Sequence, residues 1–213
     1  MKWVLLLSLL VVPVFGQNAN APDPNPFERA LTFMHTEPVT GYQPPTAAER
    51  TRWFVESTLS PSRLLIVGPI SSGWGTLRDI PSEYGTQWDG FGKRYGMRLT
   101  GVVTGNVIEG TLGRIWGEDP RYFRSNEHGF RSRMKYVAKT TFLAPDRSGR
   151  WRPAYARYIG NVGNNFLSNA WRADSEADTD DAVMRCVWGV LGRMTSDAFA
   201  EFWPDVKRKI FKK

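Results

Sequence analysis

The sequence predicts a mainly α-helical fold, a bundle of closely packed helices with glycine and small-residue faces. Three observations lead there. Gly92, Gly96, Gly101, Gly105, Gly110, Gly113 and Gly117 recur every three to five residues, interleaved with Val102, Val103, Val107, Ile108, Leu112 and Ile115. Helix-start signals recur along the chain, and alternating β-branched runs are scarce. The glycine spacing is helical although the composition opposes a helix. Seven interior glycines cost on the order of 7 kcal/mol relative to alanine. Neighbouring backbones must therefore pack against the glycine face to recover that loss.

The elements follow in order. Residues 1–16 read as a secretory signal: a basic start at Lys2, an apolar run from Val4 to Val12, then Pro13 and a small residue, Gly16, before the cut. Residues 17–45 are a flexible, Pro- and Asn-rich leader, and residues 46–204 form the helical domain. Thr46-Ala47-Ala48-Glu49 is a capping box that opens a helix to about Leu59. Ser60-Pro61 restarts a helix, which Pro69 should kink before it ends near Leu77. Residues 78–88 read as a loop. The glycine helix then runs from Gly90 to Trp116, roughly 40 Å long, and Asp119-Pro120 stops it. A basic amphipathic helix spans Phe130 to Leu143, and Pro145 to Arg152 is a turn. Pro153 opens a further helix to about Trp171, thin on one side at Ala156, Gly160, Gly163 and Ala170. Asn161, Asn164, Asn165 and Asn169 form a stripe beside it, with Asn106 and Thr104 as expected partners. The last long helix is expected over roughly Asp180–Phe202, ended or restarted by Pro204, and residues 205–213 are a basic C-terminal tail.

The chain has 213 residues, a formal charge of +7 and a single cysteine, Cys186. A lone cysteine behind a signal fits a bacterial envelope protein without internal disulfides, in the periplasm or at the outer membrane, better than a disulfide-stapled module. Five of the last seven residues are cationic: Lys207, Arg208, Lys209, Lys212 and Lys213, around Ile210 and Phe211. Such a segment either lies on an anionic membrane surface, worth about 1 kcal/mol per cation, or extends into solvent. Nine tryptophans suit a membrane interface. The charges Lys93, Arg94, Arg98, Glu109 and Arg114 flank or interrupt the glycine segment, and mean hydropathy is −0.38. Both argue against a chain that spans a bilayer repeatedly, and no recognised nucleic-acid module is present. The partners expected are an envelope membrane surface or envelope proteins, with a homo-oligomer also compatible.

Chemistry-bearing residues are sparse. His35 and His128 are isolated, so no metal site is expected, and nothing points to a cofactor. Ser71 and Ser72 do not form a nucleophile elbow. Asp174 to Asp178 begins like a calcium loop but lacks the glycine and the bidentate glutamate such a loop needs. Glu109, Glu118 and Asp119 are the candidates for acid–base work, Glu109 and Glu118 foremost, as in a cell-wall hydrolase with paired carboxylates. A structural ion pair of Glu109 with Arg98 or Arg114 accounts for that residue equally well.

Three segments carry a resemblance: Glu118-Asp119-Pro120-Arg121-Tyr122-Phe123, Ser168-Asn169-Ala170-Trp171, and Glu201-Phe202-Trp203-Pro204-Asp205-Val206-Lys207-Arg208-Lys209. With the glycine helix, they resemble a group of exported proteins of environmental bacteria to which no activity attaches. That resemblance, over roughly Thr51 to the C-terminus, implies export and a mainly helical domain and supplies no catalytic residues. The expected function is a non-enzymatic, membrane-associated structural or interaction role. The cell-wall hydrolase is the alternative.

Overall fold

The computed structural model describes residues 41–60 and 63–210. The expected signal, most of the leader, and Phe211, Lys212 and Lys213 lie outside the described residues. The fold is mainly α-helical, with helices packed on one another.

Helix α1 (Ala47–Leu59) begins at the Thr46–Glu49 capping box, where each side chain accepts from the other residue's amide at 3.2 and 2.7 Å. A π-helical turn over Arg63–Val67 leads into α2 (Gly68–Leu77), with Pro69 in its first turn rather than at a mid-helix kink. Helix α3 (Trp88–Trp116) is the glycine helix. Helix α4 (Phe130–Phe142) leads into a two-stranded antiparallel hairpin, β1 (Leu143–Pro145) and β2 (Trp151–Pro153). Helix α5 (Tyr155–Leu167) continues as a 3-10 turn over Ser168–Trp171, and α6 (Thr179–Ile210) closes the chain. Helix α3 is the axis: α1, α2 and, most extensively, α5 lie on it, and α6 packs against α4 and α5.

The glycines divide into groups. A Cβ at Gly101 or Gly105 would touch Asn164 at 3.5–3.6 Å, and one at Gly113 would touch the Glu118 carbonyl at 3.4 Å. Gly110 faces the Trp53 ring. Across the α3–α5 contact, a Cβ on Gly160 would lie 2.9 Å from the Gly105 carbonyl oxygen, so these two backbones come closest there. Gly92 and Gly96 differ from expectation, since a Cβ at either would meet nothing within 4 Å. They sit on the outward side of α3, and their loss of helix propensity is not recovered by packing. Gly117 is not a packing glycine either. It is the left-handed residue that ends α3, at φ 78°, a conformation that penalises any residue with a Cβ.

Two prolines sit elsewhere than expected. Pro153 lies in β2, and Tyr155 starts α5 instead. Pro204 neither ends nor restarts a helix: α6 runs through it to Ile210, so the expected tail begins inside a helix. The reason lies in tertiary contacts, since Arg124 and Arg133 from other elements bond the Glu201 carbonyl one turn earlier. The Asn stripe bonds mainly to α6 and its approach rather than to α3. Asn161 donates to the Cys186 carbonyl at 2.9 Å and Asn169 to the Asp178 carbonyl at 3.0 Å. Asn106 instead donates to Thr58 of α1 at 2.9 Å.

Candidate functional site

The interior is built from charge. Among the described residues the largest fully buried side chains are Glu201, Val137, Asp119 and Ser168, and the fully buried apolar residues are otherwise alanines. An unpaired charge in such surroundings is prohibitive, so each must meet a counter-charge and hydrogen bonds.

The central group forms where α3, α5 and α6 meet. Glu109 accepts from Arg157 at 3.2 Å and lies 3.6 Å from Arg193, which also pairs with Asp197 at 3.6 Å. Arg157 donates onward to the carbonyls of Thr140 and Thr141 at 2.6 and 3.1 Å. Arg193 reaches the Pro120 carbonyl at 3.1 Å. Burial holds Asp197 above the ordinary aspartate range, against the pull of Arg193 and Arg157. The partners of Glu109 are thus Arg157 and Arg193. The expected pairing with Arg98 or Arg114 does not form among the described residues: Arg98 lies about three helical turns before Glu109, and Arg114 leaves α3 on another side.

Glu118 does a different job. Its carboxylate accepts the Ala156 amide at 3.0 Å, capping the otherwise open N-terminus of α5, and its carbonyl accepts Arg50 at 3.0 Å. Burial raises its pKa. Glu109 and Glu118 line one packed region with Asp119, Ala144, Ala156 and Arg157, which holds no void the size of a water molecule. A carboxylate pair flanking a substrate and a catalytic water needs several ångströms of open space between its members, and that space is filled.

The next group joins the 118–123 segment to the end of α6. Glu201 accepts Tyr122 Oη at 2.8 Å, the Ser125 amide at 2.9 Å and Arg133 Nε at 2.6 Å. Asp205, one turn on, accepts Arg133 at 2.5 Å and Arg124 at 2.8 Å. Burial alone would raise Asp205, but bonds from Arg133, Arg208 and Arg124 outweigh it and hold the carboxyl well below its usual range. The Arg133 guanidinium lies over the Phe202 ring at 4.3 Å. Tyr136, whose hydroxyl burial pushes up to about 12, adds a ring edge against Tyr122.

Asp119 and Arg121 form the adjoining group. Arg121 grips Asp119 at 2.8 Å, reaches Glu49 at 2.8 Å, and donates to the Gln43 carbonyl at 2.9 Å. Tyr42 stands edge-on to Phe123 at 5.9 Å. The end of the expected leader is therefore docked onto the domain. Every residue from Glu118 to Phe123 has an assigned contact, and the segment is the hub that joins α1, α5 and α6.

A fourth group sits at the far end of α3. Arg94 donates to the carbonyls of Ile80, Pro81 and Gly85 at 2.6–2.7 Å and folds the 78–88 loop around itself. Sequence reasoning missed Arg94, Arg133 and Glu201 as organising residues. The available signal was an arginine inside a glycine-rich helix, and glutamate and aspartate one turn apart around Pro204.

The remaining expectations are placed as follows. Lys207, Arg208 and Lys209 form the last turn of α6. His128 is exposed in a loop, and His35 lies outside the described residues. Among the described residues no cluster of histidine, cysteine, aspartate or glutamate could hold a metal ion. Asp178 serves the start of α6, its carboxylate accepting the Asp181 amide at 2.7 Å. No family model, curated protein or solved structure matches the chain.

Proposed function

We propose that this is a non-enzymatic protein of a bacterial cell envelope, with a structural or interaction role at a membrane surface. One observation carries the reading: the usual distribution of side chains is inverted. Charged and amide groups fill the interior, while large apolar groups face out. Leu65 is 75 % and Leu77 83 % exposed, at the two ends of the segment that ends in α2. Ile159, Val162 and Phe166 face outward on α5, as do Val183, Val187 and Leu191 on α6.

In water each such side chain forgoes about 1.5–3 kcal/mol of transfer free energy, and contiguous patches of this kind mark contact surfaces. In lipid the same arrangement is favourable, because apolar groups face acyl chains while ion pairs satisfy one another inside. Small residues between helices and large ones outside is also how helices pack in membranes. No described helix is long and apolar enough to cross a membrane. The proposed placement is thus shallow, with helices lying in the interface. Trp74, Trp88, Trp116, Trp171 and Trp188 are exposed and have the amphipathic rings that favour that depth. The cations at the end of α6 add attraction to anionic lipid. Export rests on the N-terminal apolar run of the sequence.

Vesicle flotation tests this. The protein is expected to rise with phospholipid vesicles, to stay bound through a high-salt wash, and to be released by detergent. A protein that remains at the bottom of the gradient as a monomer contradicts the reading. One that remains there as a discrete oligomer assigns the apolar exterior to contacts between copies instead.

A further inference from the structure

Arg63 opens the π-helical turn before α2, and Arg98 projects from α3 beside it. Together they flank a recess walled by Thr58, Tyr95, Leu99 and Gly68, with a cavity volume of about 30 Å³. Among the described residues neither guanidinium forms an ion pair. The nearby carboxylates are already engaged, Glu109 with Arg157 and Arg193, and Asp197 with Arg193. Three guanidiniums, those of Arg157, Arg193 and Arg63, thus share two carboxylates, and that of Arg98 lies close to Arg63. Burial, with Arg193 and Arg98 close by, makes the charged form of Arg63 harder to hold, against the attraction of Asp197 and Glu109. The polar groups of the wall are also spent: Thr58 accepts Asn106, and Tyr95 donates to the Leu64 carbonyl at 3.0 Å. What remains at the recess is two guanidiniums whose N–H groups meet no acceptor among the described residues, beside carboxylates already shared by Arg157 and Arg193.

We propose that the recess between Arg63 and Arg98 binds the phosphate group of an anionic ligand. The planar guanidinium fork matches the spacing of phosphate oxygens and gives charge-assisted bonds about twice as strong as neutral ones. The cavity has the volume of one water molecule. It admits a single ligand oxygen and leaves the rest of the ligand outside, over Arg98. Leu65, Ile66 and Val67 follow Arg63 directly and are exposed. An anion held here therefore has apolar surface beside it, which suits the phosphodiester of a lipid headgroup. Free phosphate presents the same chemistry. The lipid form of the proposal rests on the membrane reading above, and the free-phosphate form does not.

Two measurements separate these sources: calorimetric titration with inorganic phosphate, and flotation with phosphatidylglycerol vesicles against phosphatidylcholine vesicles. Each is made on the wild-type protein, Arg98→Gln, Arg63→Lys and the exposed control Lys135→Gln, with folding checked by circular dichroism. Arg98 lies at the rim and its variant should fold normally. The wild type is expected to bind inorganic phosphate or to prefer the anionic vesicles. Arg98→Gln and Arg63→Lys should weaken that by about tenfold, the loss of one charge-assisted contact, while Lys135→Gln leaves it unchanged. Phosphate binding without any flotation keeps the site and removes the membrane reading. Equal flotation on both vesicles, with no phosphate binding and no effect of Arg98→Gln, keeps the membrane reading and overturns the site. An equal loss in Lys135→Gln also overturns it, since it reduces the effect to overall charge.

Discussion

The phenolic hydroxyl of Tyr122 donates to the buried carboxylate of Glu201 at 2.8 Å, joining residues 79 apart in the chain. Glu201 also accepts Arg133 and the Ser125 amide, so its removal leaves that amide and the Tyr122 hydroxyl without their acceptor and Arg133 with Asp205 as its carboxylate partner. Glu201→Ala is expected to destabilise by about 3–5 kcal/mol, the usual effect of breaking one side of a buried pair. Tyr122→Phe should cost about 1.5–3 kcal/mol, as for a hydrogen bond to a charged group. Denaturant unfolding of both single variants and the double variant measures this. The double variant should lose clearly less than the sum, and simple additivity would mean that the two groups act independently.

Two glycines of the same spacing class should respond in opposite directions. A Cβ at Gly160 meets the Gly105 carbonyl at 2.9 Å and Glu109 Cβ at 3.2 Å, and neither can yield without moving α3. Gly160→Ala is therefore expected to lose about 1–3 kcal/mol by overpacking. Gly96→Ala meets nothing within 4 Å and should gain about 0.5–1 kcal/mol of helix propensity. Melting temperatures decide the matter, and a stabilised Gly160→Ala would show that α3 and α5 are not in close contact.

Acid should loosen the end of α6. The carboxyl of Asp205 is held below its usual range in the folded protein by Arg133, Arg208 and Arg124, which outweigh burial. In the unfolded chain it returns to about 3.9. Below that value the unfolded state binds the extra proton, so stability from this group is full at higher pH and declines as pH falls through the folded pKa. The stability difference between wild type and Asp205→Asn should accordingly be constant above about pH 5 and shrink below about pH 4. A difference that grows on acidification would reverse the assignment.

Arg94 offers a test of guanidinium geometry. It reaches three loop carbonyls through two of its nitrogens, Nη1 and Nη2, and through Nε. Lysine keeps the charge but offers one nitrogen, so Arg94→Lys should cost about 2–3 kcal/mol. Faster proteolysis within residues 78–88 would accompany the loss, and limited digestion followed by mass spectrometry reads it.

What the sequence made legible were features decided within a few residues. The Thr46 capping box, the extent of α3 and the thin faces at Gly101, Gly105 and Gly160 follow from local hydrogen bonding and side-chain volume. The misplaced features were decided by distant partners. Pro204 breaks helices in isolation, but here Arg124 and Arg133 arrive from other elements to hold the turn. Gly92 and Gly96 share the spacing of Gly101 and Gly105, and spacing does not say that α5 covers only the latter pair. Glu109 was recognised as a charge needing a partner. The partner came from α5 and α6, beyond the reach of any helical-neighbour rule. Glu118 looked like an acid and serves as a helix cap, because the chain returns to place Ala156 against it.

Proline at position 204 lacks the amide that would bind the Ala200 carbonyl, which makes this the weakest turn of the last helix in its own right. The clamp on the next carbonyl comes from the 120–133 region. The final turns with Lys207 and Lys209 are thus mechanically part of that region rather than of the rod that precedes them. A pull on the C-terminus is borne first by the Tyr122 loop, and a partner that grips those lysines also grips the hub.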